Sequence, residues 1–160
     1  MKWKIEVFYK SETPDAAGTG ILQDIGDLGI DGVESVRTAQ VYWIEGELNL
    51  QEIACVCSEL LADSVTQEYG IFSESDDDAK ATISQMHTST IEVRFKPGVT
   101  DAVGDSVVKG IRDLGILGVQ TAQTGQKYWL QGRLSRPNLE TIAQRLLANE
   151  VIQTFSIQDV

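Results

Sequence analysis

The first residues of the chain alternate between apolar and mostly charged side chains. Trp3, Ile5, Val7 and Tyr9 fall on one side of an extended segment, and more polar positions separate them. Period-two alternation of this length predicts a β-strand that buries those four residues against a core.

A helix is predicted after this strand, because start and stop signals for a helix follow it. Thr13 suits the N-cap, Pro14 the first helical position, and Asp15 the positive end of the helix dipole. Gly29 suits the position that ends a helix. Gly18 lies inside the predicted helix at a cost of about 1 kcal/mol relative to alanine, which a close approach of helix and sheet would explain.

The next segments predict a hairpin, a second helix and a last strand. Residues 33–38 and 41–48 have the pattern of two antiparallel strands joined by a short turn around Ala39. A capping box at Asn49 opens a helix, and residues 65–72 form a further strand. The predicted order is therefore strand, helix, strand, strand, helix, strand.

The second half of the chain repeats the first at a fixed offset of 86 residues. From Ile5 paired with Ile91 to Ile71 paired with Ile157, 67 positions align without a gap and 26 of them are identical. A repeat of this kind is a tandem duplication and takes precedence over chain length in assigning domains. The predicted fold class is α+β, with two tandem βαββαβ two-layer units of ferredoxin-like type, antiparallel sheets and a pseudo-twofold relation between the copies.

The domain boundaries follow from the repeat. Residues 1–72 are predicted to form the first repeat, 73–88 an acidic linker and 89–160 the second repeat. The three aspartates at 76–78 lack the spacing and the final glutamate of a calcium loop, so we interpret this segment as a solvated linker.

Charge is divided unequally between the two halves of the chain. The net charge is −11, yet residues 1–86 hold 17 acidic and 5 basic residues, whereas residues 87–160 hold 7 and 8. This balance makes nucleic acid and anionic membranes poor candidates as partners. The sequence shows no signal-peptide pattern and no apolar run of 18 residues, so we expect a cytoplasmic protein.

No constellation of reactive side chains is predicted. His87 is the one histidine and falls in the linker, and Cys55 and Cys57 would be separated by about 200° around a helix. Catalysis needs a nucleophile with its base, paired carboxylates or a metal cluster. We therefore predict no catalytic, cofactor-binding or metal-binding residues in this chain.

Matched tryptophans mark a candidate interface. Trp43 and Trp129 occupy the same position in the two copies, on the side of their strands opposite the predicted helix-facing residues, and Phe8, Phe72 and Ile152 are expected on the same face. Aromatic residues on an otherwise polar sheet face are typical of interfaces. We predict that this face contributes to the seam between the copies or to a partner surface.

A series of short motifs in the second copy resembles a known family. The series is Lys96-Pro97-Gly98-Val99-x-Asp101-x-x-Gly104, then Leu114-Gly115, Gly125-x-Lys127 and Leu146-Leu147-Ala148-Asn149. It resembles the PurS subunit of phosphoribosylformylglycinamidine synthase. The first copy departs from the series, with Ser11-Glu12 in place of Pro-Gly and Ala39 in place of the turn glycine.

The resemblance implies a role in assembly. It leads us to expect a non-catalytic subunit, without a cofactor of its own, of the formylglycinamidine ribonucleotide amidotransferase complex of purine biosynthesis. Such a subunit joins the large synthetase subunit to the glutaminase subunit and helps ammonia to pass between them. Fusion of two copies converts a homodimer contact into an intramolecular one, so we expect a monomer that acts as a covalent pseudo-dimer. Further self-association is left open.

A regulatory small-molecule-binding module of ferredoxin-like topology is the alternative. The same order of strands and helices serves ligand-binding domains, and fold alone does not decide between the two functions. Glycine-rich turns at a pairing edge would favour this alternative, and Gly98, Gly118 and Gly125 are the candidates for such turns.

Overall fold

The computed structural model describes residues 1–73 and 88–158. Residues 74–87, which include the three aspartates and His87, lie outside the described residues. The elements in chain order are β1 (Lys2–Tyr9), α1 (Ala16–Asp27), β2 (Val33–Gly46), α2 (Leu50–Val56), β3 (Gln67–Ser73), β4 (Thr88–Phe95), α3 (Ala102–Asp113), β5 (Val119–Gly132), α4 (Arg136–Ile142) and β6 (Gln153–Gln158).

The strands form a six-stranded sheet in the order β3-β1-β2-β5-β4-β6. β1 runs antiparallel to β3, with Trp3 opposite Ser73, and β4 runs antiparallel to both β5 and β6. In the contact between β2 and β5, hydrogen bonds join Glu45 to Thr121 and Ser35 to Gln131, so these strands are antiparallel as well. The predicted α+β class with antiparallel pairing is confirmed.

The hairpin predicted within each copy is wrong. β2 is one uninterrupted strand of 14 residues through Ala39 and Gln40, and β5 is its equivalent through Gly125 and Gln126. Each copy therefore contributes strand, helix, strand, helix, strand. The change in pattern at Ala39 does not mark a turn: it marks the point where the strand leaves one hydrophobic core and enters the other.

Each of the two compact units contains elements from both copies. The first unit consists of the described parts of Met1–Thr13, Gln40–Thr82 and Thr100–Thr124, and the second of Pro14–Ala39, the described part of Ile83–Val99, and Gly125 onward. The compact units thus do not coincide with the repeats of the sequence, and the predicted repeat boundaries stay a prediction.

The core of the first unit joins the strands of the first copy to a helix of the second. Buried residues from β1, β2 and α2 pack in one cluster with Val107 and Ile111 of α3. The predicted buried face of β1 is confirmed for Trp3, Ile5 and Val7, whereas Tyr9 is half-buried. The indole N–H of Trp3 also donates to the Leu48 carbonyl oxygen, which satisfies its one polar group.

The core of the second unit has the reciprocal composition. Ile25 of α1 and Val36 of β2, both from the first copy, pack with residues of the second copy that include Ile91, Leu130 and Leu139. The first helix of each copy therefore does not pack on the core of its own copy, as the predicted two-layer units required. It fills the core built around the other copy's outer strands.

One aspartate per copy fixes the start of the first helix. The N-cap of α1 is Asp15, not Thr13, and its carboxylate accepts hydrogen bonds from the Gly18 N–H at 2.9 Å and the Thr38 N–H at 2.7 Å. A carboxylate that accepts hydrogen bonds from one buried and one partly buried N–H outcompetes the predicted Thr13 cap. In the second copy Asp101 is the N-cap of α3 and makes the same bonds to Gly104 and Thr124.

The predicted close approach of helix and sheet is confirmed. A Cβ atom added to Gly18 would lie 2.2 Å from the Val36 carbonyl oxygen, and one added to Gly104 would lie 2.2 Å from that of Ala122. Since real Cβ atoms do not approach a backbone atom this closely, only glycine allows each helix to lie against its strand.

The second helix of the first copy begins as predicted, and both second helices end in an uncommon way. Asn49 and Glu52 form the predicted capping box of α2, and Ser135 caps α4. Both helices then continue as one π-helical turn, Cys57–Leu61 in the first copy and Ala143–Leu147 in the second. π-Helical turns are rare, so their presence at equivalent positions shows that the two copies share this geometry in detail.

Candidate functional site

The sheet face that points away from the helices carries a charged and aromatic cluster in the first unit. Tyr42 and Ile44 contribute to the core, so Trp43 between them points to the opposite face. There the Lys4 ammonium lies 6.0 Å from the centre of the Trp43 ring and 3.8 Å from Oε1 of Glu6. Glu6 is buried, and a buried carboxylate is tolerated only with a cation or hydrogen-bond donors beside it.

The second unit has an equivalent cluster with a different source of positive charge. Tyr128 and Leu130 contribute to the core, and Trp129 points to the opposite face. Lys127 lies with its ammonium 5.3 Å from the Trp129 ring centre, and in the strand register it is opposite Glu92, the equivalent of Glu6. The lysine comes from the same strand as the tryptophan here, whereas in the first unit it comes from β1.

The two clusters therefore keep the same three residue types on the same face. Tryptophan and glutamate occupy equivalent positions in the copies, but Lys4 corresponds to Thr90 and Lys127 corresponds to Val41. Cation–π contacts of this kind contribute about 0.5–2 kcal/mol, depending on how far they are desolvated. Sequence analysis identified the tryptophans and missed the lysines. Lys127, two residues before Trp129 on the same strand, was a visible signal, whereas Lys4 lies on β1 and is brought to Trp43 only by the fold.

Three further candidates lie at different places. Phe72 is opposite Lys4 in the strand register, so Phe72 and Phe8 share the tryptophan face of the first unit, and both are half-buried. Ile152 lies in the turn before β6 and is exposed, so it belongs to no strand face. The structure thus brings Phe8, Phe72 and Trp43 to one face and leaves Ile152 apart.

Glycines allow the backbones of β2 and β5 to approach closely at both ends of their contact. A Cβ on Gly46 would lie 2.3 Å from the Gly118 carbonyl oxygen, and one on Gly132 would lie 2.0 Å from that of Gly32. Beside these pairs the Glu47 N–H donates to the Gly118 carbonyl at 2.9 Å, and the Arg133 N–H to the Gly32 carbonyl at 3.1 Å. These contacts join β2 and β5 at both ends of their pairing.

This result removes part of the basis of the regulatory alternative. Gly125 lies inside β5 and is not in a turn, and Gly118 packs its backbone against Glu47. Gly98 does lie in a turn, with a φ of 83°. Of these three glycines, Gly118 serves the strand contact between the copies, Gly125 lies within a strand, and Gly98 lies in a turn.

Groups that could support chemistry are few in the described part of the chain. No cluster of three or more His, Cys, Asp or Glu side chains suited to a metal ion occurs among residues 1–73 and 88–158. Cys57 is buried and Cys55 is exposed, and burial raises the pKa of the Cys57 thiol to about 12. Cys57 is therefore a neutral thiol at physiological pH and a poor nucleophile. Over the same described ranges, none of the helices has the length and apolar character needed to span a bilayer.

The fold defines a class of protein: a tandemly duplicated α+β chain whose two copies build each hydrophobic core together. The model of the PurS family, described as phosphoribosylformylglycinamidine (FGAM) synthase, matches residues 2–86 and 88–160. The chain therefore belongs to the PurS family, with the family's domain present twice. The resemblance deduced from the motifs of the second copy is confirmed, and the match extends to the divergent first copy.

Two similar proteins carry the same subunit name. The chain is 28% identical over 91 residues to the phosphoribosylformylglycinamidine synthase subunit PurS of Synechocystis, an alignment that covers 52% of this chain and 89% of the relative. The crystal structure of PurS from Methanocaldococcus jannaschii, one of the subunits of formylglycinamide ribonucleotide amidotransferase in the purine biosynthetic pathway, matches with 24% identity and a TM-score of 0.38. That match covers 47% of this chain and 96% of the archaeal one.

Proposed function

We propose that this chain is a cytoplasmic, non-catalytic structural subunit of the formylglycinamidine ribonucleotide amidotransferase complex, in which it bridges the synthetase and glutaminase subunits and aids the transfer of ammonia. The observation that carries the proposal is the family match to both halves of the chain. The alignment with the Synechocystis subunit covers 89% of that subunit but 52% of this chain. This polypeptide therefore contains two copies of a domain that makes up most of that subunit. The chain would thus act as a covalent pseudo-dimer.

The kinds of side chain that the two copies share support a role in contacts between subunits. The features repeated between the copies are capping carboxylates, glycines at close approaches and the cluster of tryptophan, lysine and glutamate. These groups position backbone and sheet faces. Catalysis would be left to the partner subunits, which would bring the ATP and glutamine chemistry.

Reconstitution with purified synthetase and glutaminase subunits from the same organism tests the proposal. We expect synthesis with glutamine as nitrogen donor to require this chain, and synthesis with free ammonia to proceed without it. Size-exclusion chromatography should show the two partner subunits in one complex only when the chain is present. Equal glutamine-dependent rates with and without the chain would contradict the bridging role. A specific effector in a thermal-shift screen would instead support the regulatory alternative.

We further propose that the tryptophan faces take part in this assembly or in the contact between the copies. Trp43 and Trp129 are half-buried, and each has a lysine ammonium within about 6 Å of its ring. The variants Trp43→Ala and Trp129→Ala should weaken complex formation or lower the unfolding midpoint. If both quantities stay at the values of the wild-type chain, the proposal for these residues is wrong.

A further inference from the structure

Two equivalent corners of the molecule have a feature that packing does not explain. We call residues 58–68 the Val65 corner and residues 144–154 the Val151 corner; each leads from the end of a π-helical turn into an edge strand, β3 or β6. Val65 is 78% exposed and Val151 is 81% exposed. Exposed valine by itself is ordinary, but here the same residue occurs at the same position in both copies.

The corner valine differs in exposure from the other apolar residues that are identical in the two copies. Among the described positions where both copies have the same apolar residue larger than alanine, each is buried or half-buried in at least one copy, except Val65 with Val151. Leu117 provides the contrast, because it is 77% exposed and its equivalent in the first copy is Asp31. An exposed position without a function drifts in this way, whereas the corner valine has not.

The backbone that presents the valine is the same in both corners. The N–H of Val65 donates to Oδ1 of Asp63 at 2.9 Å, and the N–H of Val151 donates to Oδ1 of Asn149 at 3.1 Å. The side-chain oxygens of Gln67 and Gln153 accept from the N–H groups of residues 63 and 149, both at 2.8 Å. A rigid turn that holds an apolar tip in water loses little conformational entropy when that tip is buried by a partner.

Charge distinguishes the two corners and indicates the chemistry of the partner. The Val65 corner has three acidic side chains, Glu59, Asp63 and Glu68, and no basic one; the equivalent residues of the other corner are Arg145, Asn149 and Thr154. The ammonium of Lys10, which lies beside the Val65 corner, donates to the Ser64 carbonyl. Two Val65 corners facing one another would place six carboxylates together, so symmetric pairing of two chains at this corner is disfavoured.

From these observations we propose that the Val65 corner is a docking knob for a partner subunit of the synthase, whose surface offers an apolar pocket for Val65 and a rim of lysine or arginine side chains. The Val151 corner presents the same tip without net charge and fits an apolar pocket without a basic rim. This inference rests on the proposed function for the identity of the partner. It adds which surface of the chain contacts the partner subunit, and why the two corners differ in charge.

The test measures binding of each purified partner subunit to the full chain by isothermal titration calorimetry. Val65→Asp should weaken binding of one partner tenfold or more, because a pocket that accepts valine does not accept a carboxylate, and Val151→Asp should weaken a partner contact similarly. Leu117→Asp is the matched control, with equal exposure and the residue type found in the first copy. It should bind as the wild-type chain does. The unfolding midpoint of every variant establishes that the fold is intact.

The acidic rim has its own variant. Glu59→Arg combined with Glu68→Thr introduces the second corner's residues at two of the three acidic positions. It leaves one basic and one acidic side chain, so the corner has no net charge. We expect this double variant to bind several-fold more weakly at low salt and to lose most of the salt dependence of binding, because complementary charges act through a screened field.

The possible outcomes are distinguishable. If the wild-type chain binds neither partner, the proposed function fails and the inference falls with it. If the wild-type chain binds and the valine variants bind equally well, the inference alone is wrong. A change confined to self-association in sedimentation would also overturn it, because the pocket would then lie on a second copy of this chain.

Discussion

In each copy one aspartate at the start of the first helix makes two kinds of contact. Asp15 caps α1 and also accepts the N–H and hydroxyl of Thr38 in β2, and Asp101 does the same for α3 and Thr124. The sequence indicated a helix start near Asp15, but it offered Thr13 as well, and Thr13 was the wrong choice of N-cap. The Thr38 partner could not be predicted, because it lies 23 residues away and is brought near only by tertiary packing.

Removing this carboxylate should cost more than losing a cap. We expect Asp15→Ala to lower the free energy of unfolding by about 2–4 kcal/mol, the sum of a lost cap and a partly buried N–H, that of Thr38, left without a partner. Ser135→Ala is the comparison, because Ser135 is exposed and its side chain caps α4 at Asn138. It should cost only about 0.5–2 kcal/mol. Equal losses in urea denaturation would show that the bond to Thr38 adds nothing.

The glycine at the helix–strand contact allows a paired test within one helix. Gly18→Ala places a methyl group against the Val36 carbonyl and should destabilise by about 1–3 kcal/mol, because the helix must move away from β2. Gly20→Ala has nothing within 4 Å of the added methyl group and should stabilise by about 0.5–1 kcal/mol. The same sign of change for both variants in urea denaturation would contradict the close approach.

Burial of Cys57 predicts a pH dependence of stability. The folded state raises the pKa of its thiol to about 12, above the ordinary value of about 8.5, so the unfolded chain loses this proton first as pH rises. The stabilisation is therefore complete below about pH 8.5 and is lost as pH rises towards 12. Burial also raises the pKa of Tyr42 and of Tyr128, which act in the same direction.

A variant isolates the contribution of Cys57. Cys57→Ala introduces the residue that the second copy has at this position, Ala143, which is equally buried. We expect the free energy of unfolding of Cys57→Ala to fall less steeply between pH 9 and 11 than that of the wild-type chain, while both tyrosines still titrate. Identical slopes for the two proteins would show that the thiol ionises as easily in the folded state as in the unfolded state.

At the scale of elements, sequence periodicity succeeded where each segment serves one core. β1, the second helices and the edge strands were placed correctly to within a few residues, because one face of each contacts one set of neighbours. The long strands were divided wrongly. β2 packs Val36 in one core and Ile44 in the other, so its pattern changes midway without any turn chemistry at Ala39-Gln40. A local pattern cannot distinguish a turn from a strand that passes between cores.

Hydrogen exchange distinguishes these two possibilities directly. In a continuous central strand, flanked by β1 and β5, the amides around Gln40 should exchange as slowly as those of Ile44. The equivalent amides around Gln126 in β5 should behave in the same way. Amides in a hairpin turn would exchange orders of magnitude faster than their neighbours, and that result would restore the hairpin. The exposed turn at Gly98 is an internal reference for fast exchange.

At the scale of the whole molecule, the sequence indicated the duplication but not how the copies combine. The offset of 86 residues implies two similar folds, and the simplest expectation is two domains side by side. In the structure each unit takes three strand segments and the second helix from one copy. The first helix and half of the long strand of the other copy complete its core. Similarity between copies carries no information about such exchange, because both arrangements bury the same residues.

Shared cores make a definite prediction about a cut chain. A protease site inserted within residues 74–87 leaves all described elements intact, so cleavage there should yield two fragments that remain together in size-exclusion chromatography. Separation would require unfolding, because either fragment alone would expose the residues that the other one covers, such as Ile111 against the first copy and Ile25 against the second. Cleavage removes only the high effective concentration that the connection provides.

The concentration dependence of unfolding gives the decisive measurement. The intact chain should unfold in urea at a midpoint independent of protein concentration, whereas the cleaved pair should gain stability as concentration rises, as a two-chain complex does. If the repeats were independent domains, both samples would unfold identically and the fragments would elute apart. That outcome would contradict the assignment of α1 and α3 to the opposite copy's core, and with it the interpretation of the duplication as a fused dimer.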